Sequence, residues 1–158
     1  MKTIDIKFRN VKYFNELRKL YPLISDLDFV PHISFKNGYI TMQHVGNTLN
    51  QLKLSSFEKG SLKLQIIDIV QSLYDRGVAH RDVHTKNVCW SNGKAYLIDW
   101  EYICLHKVDD IKNHYDLCGR GLHSPEHSNN MNIFSKSRYS IKNYLNPIKL
   151  NINEFVKS

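Results

Sequence analysis

A short polar segment between a helical pattern and a hairpin pattern constrains this chain most. Residues 80–87 read His-Arg-Asp-Val-His-Thr-Lys-Asn, so seven of these eight side chains are polar. Before this segment, apolar residues recur at helical spacing over 58–76; after it, two apolar runs flank Ser91-Asn92-Gly93. Asn-Gly between apolar runs is the strongest short hairpin signal. The chain is therefore expected to fold locally as a helix, a polar loop and a hairpin.

The wider pattern predicts an α+β fold with antiparallel strands, in a chain whose 158 residues suit one domain. Asn10 is a candidate N-cap for the first helix, and Gly77 is the expected C′ residue of the second. A second Asn-Gly pair, Asn37-Gly38, predicts another hairpin. The predicted strands cover 4–8, 29–35, 39–45, 88–90 and 95–98, and the predicted helices cover 11–21, 58–76 and 138–146.

Composition and charge exclude several classes of protein. The net charge is +7, but the basic residues form no block of five or six, which argues against a nucleic-acid partner. The apolar runs are only a few residues long, far below the ~18–20 needed to cross a membrane. Cys89, Cys104 and Cys118 form no CxxC pair, which is typical of free thiols in a reducing compartment. Since no apolar signal core is visible near Met1, we expect a cytoplasmic protein without a membrane partner.

Three polar residues near the hairpin suit phosphoryl transfer. This reaction needs a carboxylate to orient and deprotonate the attacking hydroxyl, and oxygen ligands for Mg²⁺. Asp82 lies in the polar loop, Asn87 starts the first hairpin strand, and Asp99 ends the second. These positions predict one catalytic carboxylate and two metal ligands at one cleft.

The same residues resemble the catalytic core of the protein kinase superfamily. His80 to Asn87 matches the pattern HRD-x4-N, and Asp99-Trp100-Glu101 stands where that family has Asp-Phe-Gly. The resemblance implies that Asp82 is the base, that Arg81 contacts the activation segment, and that Asn87 and Asp99 bind Mg²⁺. ATP and Mg²⁺ are the cofactors it implies.

Residues in the first half resemble the nucleotide-binding side of that family. Met42 corresponds to the gatekeeper, and backbone groups of Gln43 and Val45 to the hinge that binds the adenine edge. Lys7 and Glu16 correspond to the lysine–glutamate pair that holds the α- and β-phosphates. No glycine-rich G-x-G-x-x-G precedes Lys7 in this sequence. The resemblance therefore leaves room for a protein partner that completes the N-lobe.

Further positions also resemble members of this superfamily. Some resemble kinases that act on proteins, and others resemble kinases that act on small molecules. Ser124-Pro125-Glu126 resembles the Ala-Pro-Glu that closes an activation segment, which favours a protein substrate. His84 and Asp-Trp-Glu resemble aminoglycoside and choline kinases, which favours a small hydroxylated substrate and lets Glu101 help to place the metal. Tyr115-Asp116-Leu117 resembles a downstream turn of those enzymes, and Lys86 adds charge near the phosphates.

The resemblance covers about residues 4–126 and implies a minimal protein-kinase-like fold. Residues 1–158 would form a single truncated domain. Residues 1–45 would give a partial N-lobe of a few antiparallel strands and one helix. Residues 46–147 would give a reduced helical C-lobe, and 148–158 a tail.

Three functional hypotheses remain open. The first is an ATP/Mg²⁺-dependent phosphotransferase acting on a hydroxyl of a protein (Ser/Thr) or of a small molecule. The second is a pseudokinase that acts as a binding module. The third is a basic accessory protein that binds nucleic acid. A metal site between His123 and His127 is weighed against exposed loop histidines, and Pro125 disfavours the helix that such a site would need.

Overall fold

The computed structural model describes residues 1–80, 83 and 85–105, and every structural statement below concerns these residues. They form two α-helices, two short 3-10 helices and eight strands. The helices are α1 (Val11–Leu20) and α2 (Ser56–Asp75), with 3-10 turns at Tyr21–Leu23 and Leu49–Gln51. The strands are β1 (Thr3–Lys7), β2 (Ile33–Lys36), β3 (Tyr39–Gln43), β4 (Asn47–Thr48), β5 (Val78–Ala79), β6 (Val88–Ser91), β7 (Lys94–Leu97) and β8 (Cys104–Leu105).

The first sheet is antiparallel and has the strand order β1-β3-β2. Ile6 lies opposite Ile40, and Ile33 lies opposite Met42, so apolar side chains share one face of this sheet. The α1 helix covers that face, where the Phe14 ring meets the Phe35 ring edge-on at 5.9 Å. This face and α1 together form the core of the N-terminal half.

The first helix begins and ends as the sequence predicts. The Asn10 side chain accepts the Lys12 N–H at 2.9 Å, which satisfies one of the unpaired donors at the helix N-terminus. The helix ends at Leu20, and Pro22 lies in the 3-10 turn that follows. The helix is therefore fixed at both ends by its local sequence.

The second helix is capped by a reciprocal pair that the sequence reading did not single out. Ser55 N–H donates to Glu58 Oε1, and Glu58 N–H donates to Ser55 Oγ, each at 3.1 Å. Trp90 Nε1–H also donates to the Glu58 carboxylate, at 3.0 Å. These hydrogen bonds hold the pKa of Glu58 below its usual range, and the bond from the Ser55 N–H has a larger effect than the bond from the Trp90 indole. At the other end, Gly77 has φ 68°, as expected of a C′ glycine.

The predicted hairpin is present and is fastened to α2. Val88 pairs with Leu97 and Ser91 with Lys94, and the turn residues Asn92 and Gly93 have φ of 51° and 78°. Gln65 of α2 donates to Gly93 O at 2.8 Å and accepts the Ala95 N–H at 2.7 Å. The α2 helix thus sets the position of the hairpin.

Hydrogen bonds at two places help to join the halves of the described structure. Leu97 N–H donates to Phe29 O at 2.9 Å, which ties the hairpin to the segment before β2. Arg76 makes a bidentate pair with Asp26, at 2.6 and 2.9 Å, and also donates to Leu23 O. The hydrogen bond from Arg76 holds the pKa of Asp26 below its usual range.

Some predictions differ from the structure or fall outside its description. The strand predicted over 29–35 begins only at Ile33, because Pro31 has no N–H to pair in a ladder. The strand predicted over 39–45 ends at Gln43. The helix predicted over 138–146 lies outside the described residues. None of the described helices is long and apolar enough to cross a membrane.

The one cysteine side chain that the structure describes behaves as a core residue. Cys89 is a free thiol, as predicted, and it is buried in β6. Burial raises its pKa to about 11. A thiol that stays protonated at neutral pH is a poor nucleophile, so Cys89 serves packing.

Candidate active site

The hairpin brings two of the predicted metal ligands to one place. Ile98 N–H donates to Asn87 O at 2.9 Å, which continues the β6–β7 ladder by one residue pair. Asp99 follows directly, so it lies beside Asn87 at the open end of the hairpin. The Asn87 residue is only 5% exposed. A buried amide and a carboxylate therefore lie at the same end of the β6–β7 hairpin, one residue pair beyond the ladder.

The backbone of Asp99 is in an unusual conformation. Its φ is 60°, a region that residues other than glycine adopt at a cost of about 1–3 kcal/mol. The similar φ of Asn92 belongs to a hairpin turn, where Asn is favoured. Asp99 is in no such turn, so its strain is a sign that the position of its carboxylate matters.

Two aromatic rings hold the backbone around Asp99. His80 is 2% exposed, and its Nε2 lies 2.8 Å from Ile98 O. Because a carbonyl oxygen only accepts, His80 Nε2 carries the proton in this contact. The Trp100 ring packs edge-on against His80 at 4.7 Å, and its Nε1–H donates to Leu97 O at 2.8 Å. Both residues on either side of Asp99 are thus fixed by buried groups.

A small cavity of about 40 Å³ joins this segment to the first sheet. Four residues that the sequence predicts for the site border it, namely Lys7, Met42, Asp99 and Glu101. Lys7 borders it at the end of β1, although its side chain alternates with that of Ile6. The rest of its wall is largely apolar. The full lining is Ile6, Lys7, Phe8, Ile33, Ile40, Met42, Asp99, Trp100 and Glu101.

The predicted hinge has the hydrogen-bonding groups that an adenine edge would need. Gln43 N–H donates to His32 O at 2.8 Å, but the His32 N–H bonds the Gln43 side chain at 3.3 Å instead of its carbonyl. Within the described part of the chain, Gln43 C=O and Val45 N–H have no hydrogen-bond partner. One acceptor and one donor are therefore available two residues apart, beside the buried Met42.

The predicted pair between Lys7 and Glu16 is not formed in the structure. Among the described residues no ion pair joins them. Lys7 follows Ile6 in the strand, so its side chain lies on the opposite face of the sheet from Ile6 and α1. Glu16 is half-buried, one helical turn beyond Tyr13, whose ring meets Tyr102 at 5.3 Å. Strand alternation separates the two charges that the resemblance pairs.

Several predicted residues lie outside the described part of the chain. Arg81, Asp82 and His84 are among them. So are Tyr115-Asp116-Leu117 and the segment 123–127, which includes Ser124-Pro125-Glu126 and both histidines of the weighed metal site. Their roles stay predictions. Lys86, which the structure does describe, is exposed at the start of the hairpin.

Sequence reasoning missed the tight contact at Gly46. Its φ is 109°, and a Cβ placed there would lie 2.9 Å from Trp90 O and 3.0 Å from Ser91 Cβ. Only glycine lets the chain leave the hinge this close to β6. A glycine directly after a predicted strand was the available signal.

The oxygen ligands at this site suit Mg²⁺ better than they suit a metal ion that is coordinated by protein side chains alone. Within the described residues, no three His, Cys, Asp or Glu side chains come together. Mg²⁺ commonly takes one or two carboxylates and completes its shell with water and phosphate oxygens. The Asp99 carboxylate and the Asn87 amide oxygen are ligands of that kind.

Comparison with known proteins supports the fold. No protein-family model matches this chain. A curated relative, the KEOPS complex subunit Bud32 of Pyrococcus abyssi, is 28% identical over 103 residues, which cover 61% of this chain. Those residues cover 47% of the relative, so the match spans about half its length.

Two solved kinase structures resemble the chain. The Cydia pomonella granulovirus kinase PK-1 matches with a TM-score of 0.51 and 13% identity, over 65% of this chain and 42% of that one. A chain of the yeast RNA Pol II CTD kinase CTDK-1 complex matches with a TM-score of 0.51 and 18% identity, over 66% and 39%. At such identities the likeness concerns the fold, and it confirms the predicted α+β, kinase-like architecture.

Proposed function

Since this chain is protein-kinase-like in fold, over a part of the length of the kinases it matches, we propose that it is an ATP/Mg²⁺-dependent phosphotransferase. It transfers the γ-phosphate of ATP to a hydroxyl of a protein serine or threonine, or of a small molecule. The adenine edge binds Gln43 C=O and Val45 N–H. Asn87 and Asp99 hold Mg²⁺, and Asp82 acts on the acceptor hydroxyl.

The proposed reaction balances without any further reagent. The acceptor oxygen forms a bond to the γ-phosphorus, the bond from that phosphorus to the β–γ bridging oxygen breaks, and ADP leaves. Asp82 accepts the hydroxyl proton. Mg²⁺, when bound, neutralises charge on the β- and γ-phosphate oxygens. Catalysis then rests on positioning, which is the task of the clamped backbone around Asp99.

The single observation that carries this proposal is the strained Asp99 beside the buried Asn87. A positive φ at a non-glycine residue persists only where its surroundings enforce it. His80 and Trp100 enforce it here, on either side of the carboxylate. A purely structural turn would be more stable with glycine at this position, whereas a metal ligand requires the carboxylate.

We expect Asp99→Asn to remove Mg²⁺-dependent ATP binding. Isothermal titration calorimetry with ATP, with and without Mg²⁺, measures the effect in both proteins. The wild type should bind ATP more tightly with Mg²⁺, and the variant should lose that difference because it lacks the anionic metal ligand. Asp68→Asn, at an exposed position of α2, serves as the matched control and should behave as the wild type. Equal Mg²⁺ dependence in Asp99→Asn would contradict the assignment.

One observation favours a second candidate, a nucleotide-independent binding module. The phosphate-holding pair that the resemblance implies is absent, because Lys7 and Glu16 do not meet among the described residues. A chain of this kind would bind a protein partner without turnover. Failure of the wild type to bind ATP at millimolar concentration, with or without Mg²⁺, would favour this candidate over the enzyme.

Protein partners are part of the proposal in either case. Bud32 is named as a subunit of the KEOPS complex, and CTDK-1 is named as a complex. By analogy we infer that this chain also works with a protein partner. On its cysteine pattern alone, we further propose a cytoplasmic location. Affinity purification of the tagged chain from its own cells, followed by mass spectrometry, would identify the partner.

A further inference from the structure

Among the strands that the structure describes, β1 lies at the outer edge of the first sheet. His44 N–H donates to Lys2 O, and Phe8 N–H donates to Gly38 O, so the even-numbered residues of β1 direct their backbone groups toward β3. Thr3, Asp5 and Lys7 therefore direct theirs outward. In the part of the chain that the structure describes, no strand pairs with that edge.

The exposed edge has more than backbone groups to offer. Four of the five residues of β1 are exposed, and Ile4, a large apolar residue, is 39% exposed. In natural proteins, charged side chains on an edge strand usually prevent that strand from pairing with another chain. Here the two outward-edge charges, Asp5 and Lys7, have opposite signs and are two residues apart. Charges spaced in this way repel an identical strand in one register and attract it in another.

The attractive register follows from the geometry of antiparallel strands. If Ile6 lies opposite Ile6 of a second copy, Asp5 of each chain lies opposite Lys7 of the other. The same register sets Ile4 opposite Phe8 on the apolar face of the sheet. A register centred on Asp5 would instead place two aspartates together, which is unfavourable. Thr41 on β3 donates to Asp5 Oδ1 at 2.7 Å, so Oδ2 is the oxygen that would pair with Lys7 of the second copy.

We propose that β1 pairs with β1 of a second copy of this chain, in the antiparallel register that sets Asp5 opposite Lys7. The two three-stranded sheets then form one six-stranded sheet across a two-fold axis. Because only about five residues of each chain pair, the dimer is weak and depends on concentration. This inference does not rest on phosphotransfer.

Charge exchange tests the register. In sedimentation velocity from about 10 μM to 1 mM, a range suited to a weak dimer, the wild type should shift from monomer to dimer. Asp5→Lys or Lys7→Asp alone should weaken the dimer about tenfold, because two-fold symmetry makes each change act twice. The double variant, D5K with K7D, should restore it. Lys12→Asp, the same charge change at an exposed position of α1, should leave it intact.

Amide hydrogen exchange supplies a second readout that needs no variant. The Thr3, Asp5 and Lys7 amides should become protected as wild-type concentration rises. A monomer at every concentration, or a double variant that stays as weak as the single ones, would overturn the proposal. Protection that is equal at all concentrations would also overturn it, since another segment of the same chain would then cover the edge. Sedimentation reports the mass of the species in solution, and hydrogen exchange reports the protection of the β1 amides. Neither result depends on whether the chain binds ATP.

Discussion

Asp82→Asn should lower the rate of phosphotransfer by about 10²–10⁴-fold, the usual contribution of a general base. Asparagine has the same shape as aspartate but does not accept the hydroxyl proton at neutral pH. ATP affinity should be unchanged, because Asp82 acts on the acceptor and the nucleotide binds through the hinge and the metal ligands. Transfer of labelled γ-phosphate, measured beside calorimetry, separates the two effects.

The outcome of that experiment distinguishes the two proposed functions. Asp68→Asn, which changes an exposed carboxylate on α2 in the same way, should transfer phosphate at the wild-type rate. A wild type that neither binds ATP nor transfers phosphate would favour the nucleotide-independent binding module. If Asp82→Asn transfers phosphate as fast as the wild type, Asp82 is not the base.

Gly46→Ala should destabilise the protein by about 2–6 kcal/mol. An alanine would have to adopt a φ of 109°, which costs about 1–3 kcal/mol, and its Cβ would lie 2.9 Å from Trp90 O. Overpacking of this kind adds a further ~1–3 kcal/mol, because the contact is with backbone that cannot rotate away. For a chain of this size, the melting temperature should fall by about 4–24 °C. Thermal unfolding followed by circular dichroism measures it.

The Gly38→Ala variant separates the cost of backbone strain from the cost of the steric clash with β6. Gly38 also has a positive φ, 76°, but an added Cβ there meets nothing within 4 Å. Gly38→Ala should therefore show the strain alone and lose clearly less stability than Gly46→Ala. Equal losses in the two variants would mean that the contact between Gly46 and β6 contributes little.

Features set by neighbouring residues were predictable from the sequence. The Asn10 cap, the glycine that ends α2 and the turn at Asn92-Gly93 each depend on a few adjacent positions. The apolar face of α2 also follows from spacing alone, and Leu62, Ile66, Ile69 and Leu73 are all buried. The kinase-like fold was predictable because HRD-x4-N fixes several residue types at set spacing.

Features that depend on distant residues were not predictable. The closeness of Gly46 to Trp90 joins positions 44 residues apart. A glycine after a predicted strand indicates a close approach of some kind, but it does not indicate which distant residue is approached. The hydrogen bond from Leu97 N–H to Phe29 O likewise joins positions 68 residues apart, and neither position indicates the other.

The candidate site divides along the same line. Asn87 and Asp99 come together because one hairpin carries both, so their proximity follows from the motif. Lys7 and Glu16 lie on separate elements, and strand alternation places the lysine on the far face of its sheet. The resemblance predicts an ion pair between Lys7 and Glu16, but the direction of the Lys7 side chain on β1 does not allow it to form.

The central claim, that MgATP binds between the hinge and Asp99, is tested most directly by NMR. In ¹⁵N spectra, addition of MgATP should shift the Val45 backbone amide and the Asn87 side-chain amide, since one meets adenine and the other lies at the metal. Replacing Mg²⁺ with paramagnetic Mn²⁺ should broaden the Asn87 and Asp99 signals more strongly than the Val45 signal, since the metal binds at the phosphate end of ATP and Val45 meets the adenine. Signals at all three residues that do not change at saturating MgATP would contradict the claim.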